Sequence, residues 1–153
     1  FSAHGLPESI IARGDPYQEQ VESCVAKIMT GLGNPIEHSI CYQSRVGPMK
    51  WIGPSTDASI QKAGADGKSI ILVPIAFVSE HIETLVELDI EYAHLAAASG
   101  VKDYIRLSAL GVNASYIKAL NDEVLKAIGS GDRVVGDHNC GKCHSFCPKR
   151  GAA

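Results

Sequence analysis

The chain lacks a bias of charge. Its 153 residues carry 14 Lys and Arg against 17 Asp and Glu, a net charge of −3. The basic footprint of a nucleic-acid-binding protein is absent, so no nucleic-acid partner is expected. No apolar run is long enough to cross a membrane, and no signal peptide is visible. Peripheral membrane contact leaves no such trace and stays open. Neither a G-x-G-x-x-G stretch nor a Walker loop occurs, which removes support for a dinucleotide or nucleoside triphosphate site. There is no internal repeat. Cysteine is scarce outside one place: of five, only Cys24 and Cys41 lie apart from Cys140, Cys143 and Cys147. That pattern is no disulfide framework for a chain of this size.

What is there is the composition of an ordinary globular domain, 45% hydrophobic and 20% charged, and length enough for one core. Short apolar runs at 39–44 (SICYQS), 69–76 (SIILVPIA) and 104–108 (YIRLS) read as strands. FSAHGLP at 1–7 reads as a strand end passing into a loop, and leads us to expect a missing segment in front of it. Helical stretches fall between. Asp15 with Pro16 opens one that runs to about Gly31. A second spans about 55–63, a long third begins near Ser79 or Glu80 and ends before Gly100, and Asn113 caps a fourth that stops at Gly129. Strands alternating with helices predict an α/β fold, a parallel sheet covered on both faces. In such folds the site lies beyond the carboxyl ends of the strands. Pro74 cannot donate to a ladder, so the strand run that holds it ends or bends there.

The third helix, SEHIETLVELDIEYAHLAA at 79–97, is the most informative. On a straight helix Glu83, Glu87 and Glu91 stack at i, i+4 and i+8, and Glu80 and His94 join them within a sector of roughly 80°. Ile82, Leu85, Val86, Leu88, Ile90 and Leu95 point elsewhere, as in a largely buried helix. Like charges at i, i+4 destabilise a helix by about 0.2–0.5 kcal/mol per pair, and this stripe contains no Lys or Arg to offset them. One reading is a solvated acidic face. The other is a line of carboxylates that passes protons or a hard divalent cation. His4, and Arg45, Lys50 and Trp51 in the Gly-Pro loop after the second strand, fall on the same rim of the sheet. The residues alone stop at a polar pocket that handles metal or protons. Cys140-x2-Cys143-x3-Cys147 has the spacing of a metal site, and with His138 or His144 these thiolates suit Cys₃His zinc. Reduced thiols in an unstructured tail are the other reading. Cys24 and Cys41 read as core thiols.

Three stretches in order, FSAHGLP at 1–7, YQSRVGPMKWIGPSTD at 42–57 and PIAFVSEHIETLVELDIEY at 74–92, resemble the ferrochelatases, lyases that insert ferrous iron into protoporphyrin IX to finish haem biosynthesis. The resemblance runs from Phe1 to about Ala127 and covers the C-terminal half of the family's chain. It implies a Rossmann-like domain over 1–130, the second of two similar domains, with the N-terminal domain as its missing partner and the porphyrin between them. It implies that His4 takes pyrrole protons or contacts metal, that Glu83 is the essential acid, and that Glu80, His81, Glu87 and Glu91 belong to a proton or iron path. Part of the helix carrying them is a wider, π-type turn in the family. Trp51 and Pro74 match positions beside the porphyrin. The tail, 131–153, resembles the C-terminal extension in which some members bind a [2Fe–2S] cluster through three cysteines, here Cys140, Cys143 and Cys147, with the fourth ligand outside this chain. Animal members pair as homodimers and bacterial ones vary. A bacterial cytoplasm, with association to the inner membrane, and the matrix face of the mitochondrial inner membrane both fit. A chelatase for another tetrapyrrole, or a non-catalytic cluster- or zinc-binding fragment, are the competing readings.

Overall fold

The computed structural model describes residues 1–33 and 36–131. Strand β1 (Ser2–His4) pairs in parallel with β2 (Cys41–Gln43), placing His4 opposite Gln43. Strand β3 (Ile70–Leu72) pairs in parallel with β4 (Tyr104–Arg106), placing Leu72 opposite Arg106. Ser2 joins the two pairs: its amide donates to the Val73 carbonyl at 2.9 Å and its carbonyl accepts from the Ile75 amide at 2.8 Å. Pro74 therefore sits opposite Ser2 in an isolated parallel bridge, just past the end of β3. Its missing N–H is the reason the regular strand stops short of it.

Every crossover is helical. α1 (Glu8–Ala12) and α2 (Tyr17–Leu32) connect β1 to β2, and α3 (Thr56–Ala65) connects β2 to β3. Between β3 and β4 lie α4 (Ile82–Leu85), a π turn (Glu87–Glu91) and α5 (Tyr92–Ala98); α6 (Ala114–Ser130) follows β4. Ser55 and Asn113 cap the helices they precede, whereas Asp15 sits one residue ahead of the cap position, which Pro16 occupies, and still bonds the first turn. Asp15 accepts from the Tyr17 amide at 2.9 Å, Ser55 from Ala58 at 3.2 Å, and Asn113 from Ser115 at 3.0 Å. Local side chain–backbone bonds of this kind satisfy donors that the helix itself leaves free. The third helix starts two or three residues later than the acidic pattern suggests, because His81, not Ser79 or Glu80, is its cap: the ring Nδ1 accepts from the Glu83 amide at 3.2 Å.

Successive strand residues face opposite sides. Ala3 and Tyr42 pack with Val21, Val25, Ile52 and Ile75 under α2. Leu72 packs with Ile60 of α3, Leu88 of the π turn, and Tyr92 and Ala96 of α5. The sheet is thus covered on both faces, as parallel strands require. Cover is incomplete at one end. α6 buries none of its residues, and Ile71 of β3 and Ile105 of β4, both on the face turned away from α5, are exposed. Among the described residues no helix is long and apolar enough to cross a membrane.

The contact between α3 and α5 depends on Gly64, where an added Cβ would lie 2.0 Å from the Ser99 carbonyl oxygen. Gly31, in α2, has nothing within 4 Å of that position. Gly64→Ala is expected to cost about 1–3 kcal/mol through overpacking, whereas Gly31→Ala gains up to about 1 kcal/mol of helix propensity. Urea unfolding of the two variants checks the opposite signs.

Candidate functional site at the strand ends

The carboxyl ends of β1 and β2 meet the start of α4. His4, the last residue of β1, has its Nδ1 2.7 Å from the Gly5 carbonyl oxygen, which leaves Nε2 facing Glu83 Oε1 at 3.6 Å. Both side chains are a little over one-third exposed. The Tyr17 hydroxyl donates to the His4 carbonyl at 3.0 Å and so ties α2 to the same strand end. Burial raises the Tyr17 pKa, the bond to the His4 carbonyl opposes this, and the nearby Glu83 charge adds to the rise. The Tyr17 hydroxyl therefore stays protonated as a donor.

Glu87 lies deeper. Its carboxylate accepts from Gln43 Nε2 at 3.0 Å, the Ser44 amide at 2.7 Å, the Ser44 hydroxyl at 2.5 Å and the Tyr92 hydroxyl at 3.0 Å. Gln43 also donates to the Glu83 carbonyl at 2.8 Å, so one amide side chain orders both acids of the site. The orientation of that amide is set from behind: Gln43 Oε1 accepts from the Ser2 hydroxyl at 2.8 Å, and Ser2 in turn lies 2.9 Å from Thr56 Oγ1. Gln43, Ser2 and Thr56 are fully buried. Ser44 adopts a left-handed backbone with φ 59°. That costs roughly 1–2 kcal/mol for a non-glycine residue. Two hydrogen bonds to a carboxylate, at about 1.5–3 kcal/mol each, outweigh it.

The helix that presents these acids is not straight. The Glu91 amide donates to the Val86 carbonyl at 3.0 Å, five residues back, and the Tyr92 amide reaches Glu87 in the same manner. This widening is the π turn, a feature that gathers at functional sites. It interrupts the straight helix on which the acidic stripe was predicted. Glu83 meets His4 and Glu87 turns toward β2, while Glu91 and His94 are exposed. Glu80 precedes the helix altogether and pairs with Arg106 of β4 at 2.6 Å. The basic partner that the helix sequence lacks comes from a strand.

His81 caps α4 and its ring packs against Phe77 at a centroid distance of 5.2 Å. Trp51 pairs with Pro7 in an antiparallel bridge, and its ring would lie 3.3 Å from a Cβ at Gly5, so it packs the loop after β1. Its buried Nε1 has no partner among the described residues. Lys50 pairs with Glu8 at 2.8 Å beside an open cavity of about 490 Å³ lined by Pro7, Met49 and neighbouring residues, and Arg45 is exposed. Cys140, Cys143 and Cys147, with His138 and His144, lie outside the described residues. Cys24 is exposed, not a core thiol as expected, because it falls on the outer side of α2; Cys41 is buried. Sequence reasoning missed Gln43, Ser44, Tyr17, Tyr92 and Arg106. Only Gln43 and Ser44 carried a signal, as polar residues ending a strand.

Fold and site together define an α/β domain of the chelatase type, with a histidine and a carboxylate converging beyond parallel strand ends. The sequence model of the ferrochelatase family matches residues 1–128. A protein named ferrochelatase from Caulobacter vibrioides is 54% identical over 157 aligned positions, covering 100% of this chain and 45% of the relative. One from Pelagibacter ubique is 57% identical, covering 82% of this chain and 37% of the relative. Ferrochelatase-2, chloroplastic, of Cucumis sativus is 49% identical over 85% of this chain. The chain belongs to the ferrochelatase family, and it spans less than half the length of these relatives.

Burial pushes the Glu80 carboxyl up, but bonds from Thr84, the Ala109 amide and Arg106 prevail and hold it below its ordinary 4.5. A lowered folded-state pKa means that the unfolded chain binds more protons, so this stabilisation is present above the ordinary value and is lost as pH falls through the lowered one. The gap in urea midpoint between wild type and Glu80→Gln should therefore shrink on going from about pH 6 to about pH 3.

Proposed function

We propose that the protein carrying this chain inserts ferrous iron into protoporphyrin IX, with His4 and Glu83 as the groups that handle the displaced protons. The single observation behind this is the 3.6 Å approach of His4 Nε2 to Glu83 Oε1 at the strand ends. Metallation replaces two pyrrole N–H protons by one Fe²⁺, so two protons must leave for each metal that enters. An imidazole nitrogen and a carboxylate oxygen facing one another offer one acceptor for each. A base already positioned for such a transfer contributes typically about 10²–10⁴-fold. Iron is the substrate here, held only until the ring nitrogens take it.

Glu87 and Glu91 continue from Glu83 along the π turn, and Glu91 is exposed, which supports an outward route for protons or an inward one for iron. In this reading Glu80 and His81 hold the entrance of that segment. Trp51 and Pro74 flank the porphyrin, whose apolar face needs a concave, largely apolar partner. In this reading the uncovered sides of α6, β3 and β4 pack against an N-terminal half of the full protein, a reading that the relatives' greater length supports. Cys140, Cys143 and Cys147 supply three thiolates to a [2Fe–2S] cluster, which needs a fourth ligand from elsewhere. In this reading the protein works in a bacterial cytoplasm, with porphyrin arriving at the inner membrane surface.

The test is porphyrin metallation by the full-length protein under anaerobic conditions, followed by visible absorbance. His4→Ala and Glu83→Gln should each lower the rate by about 10²–10⁴-fold; wild-type rates in both would sink the assignment. For the tail, the purified protein should be brown-red with two iron and two acid-labile sulfide per chain, and Cys143→Ser should bleach it. A colourless, zinc-loaded protein would contradict the cluster.

A further inference from the structure

Arg106 ends β4, and its side chain is only 11% exposed. It carries three donors to two acids that are nine residues apart. Nε donates to Asp89 Oδ1 at 2.6 Å, Nη2 to Asp89 Oδ2, and Nη1 to Glu80 Oε1 at 2.6 Å. Glu80 also accepts from the Ala109 amide at 2.8 Å, so the Glu80 side of this clamp is anchored in the chain after β4 as well. From the same strand, Tyr104 donates its hydroxyl to the Leu88 carbonyl at 2.8 Å.

Glu80 lies just before α4, and Leu88 and Asp89 lie inside the π turn. Between these fixed points stand Glu83 and Glu87. The wide turn has no proline to impose it, and its hydrogen bonds are five residues long. β4 grips it from one side and Gln43 and Ser44 grip it from the other.

We propose that Arg106 is a positioning residue for the two acids: by holding Glu80 and Asp89 on one guanidinium, it keeps the π turn in place, so that Glu83 meets His4 and Glu87 meets Ser44. Lysine cannot substitute, because a single ammonium lacks the planar fork that spans both carboxylates. The catalytic part of this inference rests on the function proposed above; the structural part does not.

The experiment uses the full-length protein as wild type, Arg106→Gln, Arg106→Lys and Asp89→Asn. Amide hydrogen exchange is followed segment by segment, and metallation is measured against metal and porphyrin concentration separately. Exchange across residues 81–92 and at the Ser44 amide should accelerate by about tenfold in both Arg106 variants, with residues 1–5 and 41–43 unchanged. The kcat/KM for metal should fall about 10–100-fold, while the KM for porphyrin stays within about twofold. Asp89→Asn should reproduce both effects. Unchanged exchange over 81–92, or acceleration spread evenly over all segments, would overturn the clamp. A porphyrin KM that rises with the loss would overturn its role toward the acids. If wild type itself fails to metallate, the functional reading falls, and the exchange pattern still decides whether Arg106 holds the turn.

Discussion

The Glu87 carboxylate takes four hydrogen bonds, three of them from Gln43 and Ser44 at the end of β2 and one from Tyr92, five residues further along its own segment. A partly buried carboxylate needs donors for its lone pairs, and leaving them empty costs more than any bond it makes returns. That constraint brings the segment after β3 onto the end of β2. It also explains the left-handed Ser44, which aims an amide and a hydroxyl at one acid. With Glu87 fixed there, α4 begins where Glu83 faces His4 across the neighbouring strand.

Two demands meet in the π turn. Leu88 and Tyr92 must enter the core beneath it, and both are buried. Glu83 and Glu87 must reach the strand ends, and Asp89 must reach Arg106 on the opposite flank. A period of 3.6 residues keeps Glu83 and Glu87 on one side and turns Asp89 to another. Along this segment one acid meets His4, one meets β2 and one meets β4. The acid that remains, Glu91, faces solvent.

Much of the fold was legible. Strand runs near 39–44 and 69–76 carry real strands because apolar, β-branched residues there fit a sheet covered on both faces. Asp15, Ser55 and Asn113 marked helix starts because a cap is a local bond, made between residues two or three apart. From residue pattern alone the third helix was legible in extent but not in shape; the π turn was expected only through the family resemblance. A π turn leaves the apolar periodicity nearly intact, and what stabilises it is distant in sequence: Ser44 is 43 residues from Glu87, and Arg106 is 17 from Asp89. The short α1 carries too few residues to show a period. His4 and Glu83 were identified through three motifs resembling a family; residue patterns alone reached only a rim where polar residues gather. The roles of the tail cysteines also came from that resemblance, and those residues lie outside the described ones.

The central claim is that His4 and Glu83 act on the substrate as one unit, and a double-mutant cycle tests it most directly. Metallation rates of the full-length protein are compared for wild type, His4→Ala, Glu83→Gln and the double variant. If the pair shares the work of removing two protons, the double variant is no slower than the slower single one, within about threefold. If the two penalties multiply instead, the residues act independently, and their approach at the strand ends is not the source of the activity.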